Sequence, residues 1–386
     1  MHIPKQIEYI LQKLTAAGYE GYLVGGCVRD FLLGNVPSDF DITTNALPEE
    51  TMAVFAEDRV IPTGLKHGTV TVLHDGVSAE ITTYRTETTY ADGRHPDSVS
   101  FTRKLGDDLC RRDFTVNAMA MDLDGNIVDL YGGREDLAAG VICAVGEPEL
   151  RFAEDALRIL RAFRFAAKLG FAIEEQTLAA ALALAPRLSL VSRERIFDEL
   201  EKLLCSKDAG GVLRIMVNGG VLDCMFENPH INQAALQNID ALPARADVRL
   251  SALLLVDDNA EKHVSSLKTS AAFAEQIRRT LQCRLPKTED APAIYRTLYQ
   301  YGVSPTLDRA LIEQRESLHQ ELTLLLETAD CLSVRDLAIT GEDVLAYTDR
   351  RGKAIGETLE SVLFAVFDGK IENTRVAELE YLSAMR

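Results

Sequence analysis

Two aspartates separated by one residue, Asp39 and Asp41, have a spacing that points to metal chemistry. Residues two apart on a β-strand point to the same face, so both carboxylates would project together, with Phe40 between them facing the core. Paired carboxylates need a cation to offset their repulsion, and oxygen ligands with open positions suit Mg²⁺ shared with substrate phosphates. Taken alone, such a pair is also typical of a solvated, acidic strand end.

A glycine pair precedes these aspartates and predicts a phosphate site. Gly25 and Gly26 follow an apolar strand at residues 22–24 and come before a helix that reaches about Leu33. Glycines let the backbone approach phosphates closely, and the following helix directs N–H groups and its positive end to the same place. Arg29 in this helix can add a cation for a triphosphate. For the glycines alone, a structural turn is the alternative interpretation.

A second polar group stands just before the short apolar pattern of residues 114–121. Arg112, at the start of that element, can meet a phosphate or a ribose, and Asn117 follows one turn later. Asp113 lies between them. An aspartate at a helix start satisfies free backbone N–H groups, so a capping role for Asp113 is compatible with a role at the site.

Three arginines recur at three-residue spacing in the segment EDALRILRAFRF. Arg158, Arg161 and Arg164 follow Asp155, and all four are predicted near one helix face. Surface salt bridges produce the same spacing in many helices, but no acid alternates with these arginines after Asp155. The spacing alone leaves both a salt-bridged surface face and a substrate-binding face open.

The elements that must position these residues change character near Pro148. Up to about residue 138, strand and helix signals alternate, with a hairpin predicted where His74-Asp75-Gly76 separates residues 69–73 from 80–84. The polar segment at residues 86–96 has no apolar periodicity, which predicts a mobile loop. Beyond Pro148, apolar residues recur with a helical period and predict an all-helical remainder.

The composition limits the class of protein. With 386 residues, 47% of them hydrophobic, the chain can form two or more packed domains. Its net charge of −18 argues against indiscriminate nucleic-acid binding. The seven cysteines show no zinc-site spacing and are expected to be reduced thiols. The amino terminus lacks a signal-peptide pattern and the best apolar run, residues 250–256, is too short for a bilayer, so a cytoplasmic location is expected.

Five ordered motifs resemble those of the class II nucleotidyltransferase family, which contains the CCA-adding tRNA nucleotidyltransferases and the bacterial poly(A) polymerases. In chain order they are GG with VRD (25–30), SDFDI (38–42), RRDFTVNA (111–118), DLYGG (129–133) and EDALR (154–158). The resemblance covers the first half of the chain strongly. The carboxy-terminal half matches weakly, mainly at residues 339–359 and Asn373.

The resemblance implies an α+β fold with a polymerase-β-like nucleotidyltransferase head, residues 1–138, followed by helical domains. These are a neck with a nucleotide-reading helix (139–200), a body (201–275) and an RNA-binding tail (276–386). It also implies that Asp39 and Asp41 are catalytic metal ligands and that Gly26 and Arg29 contact nucleotide. Glu80 is either a further catalytic carboxylate near the metals or a surface strand glutamate.

The resemblance further implies that Asp155 and Arg158 form a template that reads the incoming base. Adenine and cytosine each present an amino donor beside a ring-nitrogen acceptor, which an aspartate and an arginine can match, whereas guanine and uracil reverse that order. A mispaired base would bury unsatisfied groups at about 1–3 kcal/mol each, which rejects G and U. Arg161 and Arg164 would hold the triphosphate or organise the template.

The expected activity is transfer of CMP and AMP from CTP and ATP to the 3′ end of tRNA by two-metal, Mg²⁺-dependent catalysis with release of pyrophosphate. The expected partners are tRNA, ATP and CTP, with no membrane and no obligate protein partner. An A-adding relative is the main alternative. Residues 86–96, with Asp92 and Arg94, argue against a CC-only enzyme, because CC-adding members typically lack this loop.

Two other interpretations carry less support from the sequence. A bacterial poly(A) polymerase usually has a longer, basic carboxy terminus, whereas this chain ends in an acidic stretch at residues 371–386. An inactive RNA-binding scaffold on the same fold would not need Asp39, Asp41 and Arg29, all of which are present.

Overall fold

The computed structural model describes residues 3–87 and 99–385, and the chain divides into two compact units, Met1–Asn228 and Pro229–Arg386. The first unit carries the β-sheet and the second is helical in its described residues, so the predicted α+β fold class is confirmed. Most of the loop predicted at residues 86–96, including Asp92 and Arg94, lies outside the described residues.

The strands of the first unit form one large mixed sheet and two small ones. They are β1 (Gly21–Val24), β2 (Asp41–Thr44), β3 (Arg59–Gly64), β4 (Thr69–His74), β5 (Val77–Thr83), β6 (Arg85–Glu87), β7 (Val99–Phe101), β8 (Met119–Met121), β9 (Ile127–Asp129), β10 (Val141–Ile142) and β11 (Ala172–Ile173). The large sheet has the order β3-β4-β5-β2-β1-β8-β9. Within it only β2 and β5 pair in parallel.

The early helices of the first unit pack on the large sheet, and the later ones pack mainly on one another. They are α1 (Lys5–Ala16), α2 (Gly26–Leu32), α3 (Pro48–Val54), α4 (Leu105–Cys110), α5 (Gly133–Ala139), α6 (Pro148–Glu154), α7 (Leu157–Leu169), α8 (Glu175–Leu184), α9 (Arg193–Leu204), α10 (Ala209–Asn218) and α11 (Val221–Met225). In α1, Ile7, Ile10, Leu11 and Leu14 recur at helical spacing and are buried, because one apolar stripe faces the sheet.

The hairpin and the helical remainder differ in detail from the prediction. The turn between β4 and β5 consists of Asp75 and Gly76 alone, both at positive φ (44° and 80°), as a two-residue hairpin turn requires. His74 therefore belongs to β4, and β5 begins at Val77 rather than Glu80. The short strand β11 pairs in parallel with β10 and is an exception to the all-helical remainder. Two residues are too few to give an alternating pattern.

The backbone at Gly133, in the pair Gly132-Gly133, approaches the segment around Thr115 closely. A Cβ on Gly133 would lie 2.2 Å from the carbonyl oxygen of Thr115. The Asp129 carboxylate accepts hydrogen bonds from the backbone N–H groups of Gly133 and Arg134, at 2.9 Å each. The start of α5 is thereby held against the 3₁₀ turn Thr115–Asn117.

The second unit consists of helices α12 (Gln233–Asn238), α13 (Ala246–Leu254), α14 (Ala260–Ser266), α15 (Ala271–Gln282), α16 (Ala291–Tyr301), α17 (Val303–Ile312), α18 (Glu316–Thr328), α19 (Gly341–Tyr347), α20 (Lys353–Phe367) and α21 (Arg375–Ala384). Near its carboxy terminus a core forms around Val344, Val362, Leu363 and Leu382. In the described part of the chain, no helix is both long and apolar enough to cross a membrane.

Candidate active site

A polar pocket of about 510 Å³ lies in the first unit. It is lined by Gly25, Gly26, Arg29, Asp30, Ser38, Asp39, Asp41, Arg111, Arg112, Asp113, Asn117, Asp155, Leu157, Arg158, Arg161, Phe165, Lys168 and Arg195. All the predicted site residues line this pocket except Glu80 and Arg164. Segments far apart in sequence are thus brought together around one space.

The first glycine pair forms a turn at the pocket wall between β1 and α2. Gly25 has a φ of 73°, a conformation that side chains disfavour, and a Cβ there would lie 3.0 Å from Nη1 of Arg112. The backbone conformation therefore favours glycine at position 25, and a side chain there would also crowd Arg112. Gly26 begins α2.

The carboxylate pair sits where the chain enters β2. Asp41 is the first residue of the strand, whereas Asp39 lies in the preceding loop and accepts a hydrogen bond from Ser38 Oγ at 2.9 Å. The prediction that both lie on the strand with Phe40 facing the core is wrong, because the strand starts only at Asp41. Phe40 is half-buried, its ring 6.0 Å from that of Phe31. Both aspartates are exposed.

The electrostatics of this corner fit a divalent cation. Although exposed in the pocket, Asp41 has a raised pKa, because the surrounding protein desolvates its carboxyl group and Asp39 repels its charge; Glu80 adds to the repulsion and Arg112 opposes it. Glu80 is exposed and is the register partner of Asp41 in the parallel β2–β5 pair. Mutually repelling carboxylates are relieved by a bound cation.

The protein supplies only part of a metal coordination shell here. Among the described residues, no group of three or more His, Cys, Asp or Glu side chains is arranged to hold a metal ion. A cation at Asp39 and Asp41 would need water or substrate phosphates as further ligands, which is the usual arrangement for Mg²⁺.

Asp113 stands at the centre of a buried polar network on another wall of the pocket. Its carboxylate accepts hydrogen bonds from Arg161 Nε at 2.8 Å and Nη2 at 2.5 Å, from Asn117 Nδ2 at 3.1 Å and from the Phe114 N–H at 2.8 Å. Burial alone would raise its pKa, but Arg161 and Asn117 lower it to about 2. Asp113 thus bonds both a backbone N–H and a pocket arginine.

The network continues to Arg29. Asn117 Oδ1 accepts a hydrogen bond from Arg29 Nη1 at 2.8 Å, and Arg29 also pairs with Asp30 at 2.8 Å. Arg29 is 3% exposed. Its charge is therefore already balanced, and its guanidinium is held in one orientation at the pocket wall.

Arg164 does not line the pocket. Six residues of α-helix rotate the chain by about 240°, so Arg164 lies ~120° around the helix from Arg158. Arg164 pairs with buried Glu199 of α9, whose carboxylate is also 3.7 Å from Arg161. Burial lowers the pKa of Arg164, with Arg161 adding to the effect and Glu199 opposing it.

The aromatic ring of Phe165 lies close to three arginine side chains. Its ring centroid lies 5.2 Å from the guanidinium of Arg29, 5.3 Å from that of Arg161 and 3.9 Å from that of Arg164. Cations over a ring face are attracted by its quadrupole. The ring therefore helps three like charges to lie close together.

The predicted template residues lie at a break between two helices. Asp155 ends α6 in an extended conformation (φ −135°), so the prediction that it shares a helix face with the arginines is wrong. Its Oδ1 accepts a hydrogen bond from the Leu157 N–H at 3.0 Å and its Oδ2 one from Arg195 Nη2 at 2.9 Å. Arg158 pairs with Glu154 at 2.6 Å and donates to the Arg111 carbonyl at 2.8 Å. Each member is held by its own partners.

Sequence reasoning missed several supporting residues. Asp108 is fully buried and pairs with Arg111 at 2.8 Å and Arg112 at 3.2 Å. Its position four residues before Arg112 was a readable signal. Glu199 occupies the apolar face of α9, and a charged residue at such a position signals a buried partner. No local pattern pairs Arg195 with Asp155, because Asp155 lies at the break between α6 and α7 whereas Arg195 belongs to α9.

Comparisons with known proteins cover the whole chain. A family model for the poly A polymerase head domain matches residues 21–143, one for the RNA and SrmB-binding site of polymerase A matches residues 170–234, and one for tRNA nucleotidyltransferase domain 2 matches residues 248–382. A CCA-adding enzyme of Streptococcus pneumoniae is 39% identical over 383 residues, covering 97% of this chain and 95% of the relative. One of Enterococcus faecalis is 36% identical over 407 residues, covering 99% and 96%.

The chain belongs to the CCA-adding enzyme family. The crystal structure of the Bacillus stearothermophilus CCA-adding enzyme in complex with CTP matches its fold with a TM-score of 0.86 at 33% identity, covering 100% of this chain and 98% of that one. The family resemblance drawn from the five motifs is confirmed. CCA-adding enzymes share with this chain the sheet-containing head and the helical remainder.

Proposed function

We propose that this protein adds C, C and A to the 3′ end of tRNA, transferring CMP and AMP from CTP and ATP and releasing pyrophosphate. The observation that carries the proposal is one pocket that combines the carboxylate pair Asp39 and Asp41 with the base-reading candidates Asp155 and Arg158. Family membership over 97% of the chain supports it.

In this proposal, Asp39 and Asp41 hold Mg²⁺ at the mouth of β2, and Glu80 contributes negative charge from the adjacent strand. Bound Mg²⁺ supplies charge neutralisation for the phosphates and lowers the pKa of the RNA 3′-hydroxyl. The residues fit this role because Asp41 already experiences repulsion from Asp39 and Glu80. Arg112, beside Gly25, lies where it can contact a phosphate or ribose of the nucleotide.

Base selection in the proposal depends on two side chains that are oriented before the nucleotide arrives. Arg195 holds Asp155, a hydrogen-bond acceptor, by its carboxylate, while Glu154 and the Arg111 carbonyl hold Arg158, a donor. Cytosine and adenine present the same donor and acceptor order, so one fixed pair serves both. Pre-orientation reduces the ordering cost of each binding event.

Residues 1–138 act as the catalytic head, 139–200 as the neck, 201–275 as the body and 276–386 as the tail that binds tRNA. The protein acts in the cytoplasm without an obligate protein partner.

The proposal is tested with tRNA transcripts that end at the discriminator base, at C and at CC. Each is incubated with Mg²⁺ and with ATP, CTP, GTP or UTP, separately and together, and products are resolved at single-nucleotide length. Addition of C, C and A that then stops is the expected result. Addition of A to the CC-ended transcript alone would indicate an A-adding enzyme, and long A tails on any RNA a poly(A) polymerase. No metal-dependent product would indicate a scaffold.

A further inference from the structure

One face of α7 forms a continuous wall of the pocket. Arg158, Arg161, Phe165 and Lys168 all line it. On a helix that turns ~100° per residue these positions fall within about 80° of one another. Lys168 lies ~15 Å along the helix axis from Arg158, so it marks the end of the wall opposite the base-reading pair.

Each arginine that lines the pocket already pairs with a carboxylate, although Arg111 and Arg112 share that of Asp108. The pairs are Arg29 with Asp30, Arg111 and Arg112 with Asp108, Arg158 with Glu154, Arg161 with Asp113 and Arg195 with Asp155. Several of these contacts are buried, so an incoming anion cannot displace the carboxylates without leaving charges unpaired.

Lys168 differs from these arginines. Its side chain is exposed in the pocket, and within residues 3–87 and 99–385 its ammonium group has no hydrogen-bond or carboxylate partner. A lysine carries three donors on a flexible stem and binds phosphate as a point charge.

We propose that Lys168 binds the β- and γ-phosphates of the incoming CTP or ATP. This inference rests on the proposed function. A triphosphate brings several negative charges into a pocket whose arginines each already pair with a carboxylate, so the ammonium group of Lys168, which has no such partner among the described residues, is the cation most available to the phosphates. The simpler interpretation is that Lys168, in the last turn of α7, only balances the helix dipole.

Lys202 offers a matched control for the helix-dipole interpretation. It is an exposed lysine in the last turn of α9 and does not line the pocket. Lys168→Gln and Lys202→Gln should therefore lose similar helix-dipole energy, and only the first should change phosphate binding.

Equilibrium binding of ATP and of AMP, in Mg²⁺ without RNA, tests the inference. We expect Lys168→Gln to weaken ATP binding about 10-fold, in line with loss of a charge-assisted hydrogen bond, and AMP binding less than about 2-fold. Lys168→Arg should retain most of the ATP affinity, and Lys202→Gln should match the wild type with both nucleotides.

The outcomes separate this inference from the proposed function. Wild-type ATP affinity in Lys168→Gln would overturn the inference alone. Filter binding of tRNA, measured in parallel, identifies the other source of phosphate: if Lys168→Gln loses tRNA affinity but keeps ATP affinity, Lys168 binds an RNA phosphate and the inference is overturned. If the wild-type protein binds neither ATP nor CTP, the proposed function fails and the inference fails with it.

Discussion

Asp41 and Asp113 line the same pocket, yet the charges around them have opposite signs: acidic neighbours repel the charge of Asp41, whereas an arginine stabilises that of Asp113. The pKa of Asp41 is raised, because the protein desolvates its carboxyl group and Asp39 and Glu80 repel its charge. Neither Asp41 nor Asp39 has an ion-pair partner in the described part of the chain. Asp113 is buried beside Arg161 and Asn117, and its pKa falls to about 2.

This difference separates two kinds of carboxylate. The corner of Asp39 and Asp41 has excess negative charge that a ligand must neutralise, as expected of a cation site that forms with substrate. The wall around Asp113 is complete without ligand, and it fixes arginines where a nucleotide will lie. Fixed, preorganised charges cost no rearrangement when the substrate arrives.

The largest loss of activity should follow from a change at the Asp39 and Asp41 pair. We expect Asp39→Ala to lower nucleotide transfer by more than about 1000-fold, because Mg²⁺ would lose one of its two proposed carboxylate ligands and could no longer activate the RNA 3′-hydroxyl or neutralise the departing pyrophosphate effectively. Affinity for tRNA should stay near that of the wild type, measured by filter binding beside the transfer assay. Near-normal turnover in this variant would contradict the metal assignment.

Removal of the negative charge of Asp113 should lower the stability of the fold. Asp113→Asn leaves Arg161 without its closest carboxylate, so we expect the free energy of unfolding in urea at pH 7 to fall by about 3 kcal/mol. Asp39→Asn, which relieves repulsion, should not lower it. Equal losses in the two variants would contradict the distinction between the corner and the wall.

The stability difference between wild type and Asp113→Asn should also depend on pH. Because the pKa of Asp113 is lowered in the folded state, its contribution is fully present above its unfolded pKa of about 4 and is lost as the pH falls towards 2. The difference in unfolding free energy should therefore shrink over that range. A constant difference would show that ionised Asp113 does not stabilise the fold.

A smaller effect is expected at the base-reading pair. Asp155→Ala combined with Arg158→Ala should reduce discrimination of ATP and CTP against GTP and UTP by about 10- to 100-fold while chemistry continues. Single-turnover rates for each nucleotide measure this ratio. Normal discrimination in the double variant would exclude these residues as the template.

The sequence predicted most clearly what depends on local pattern. The glycine turn, the DxD spacing and the helical remainder are encoded by neighbouring residues, and the structure brings Gly25, Asp39 and Asp41 to one pocket with Arg158 and Arg161. The roles of these residues remain predictions.

Side-chain pairs that join different helices could not be predicted from local sequence patterns. Arg164 shares the three-residue spacing but pairs with Glu199, because each three-residue step moves the side chain about 60° around the helix and the second step carries it beyond the pocket-lining stripe. Asp155 leaves the helix at the break before α7, and Arg195 meets it from α9. No pattern within either segment specifies that pair.

The most direct test of the account is ATP affinity with and without Mg²⁺, compared between the wild type and the double variant Asp39→Asn, Asp41→Asn. Without metal, the two carboxylates should repel the triphosphate, so the double variant should bind ATP more tightly than the wild type. With Mg²⁺ the order should reverse, and Asp113→Asn should show no such reversal. If Mg²⁺ changes the ATP affinity of the double variant as much as that of the wild type, Asp39 and Asp41 do not hold the cation.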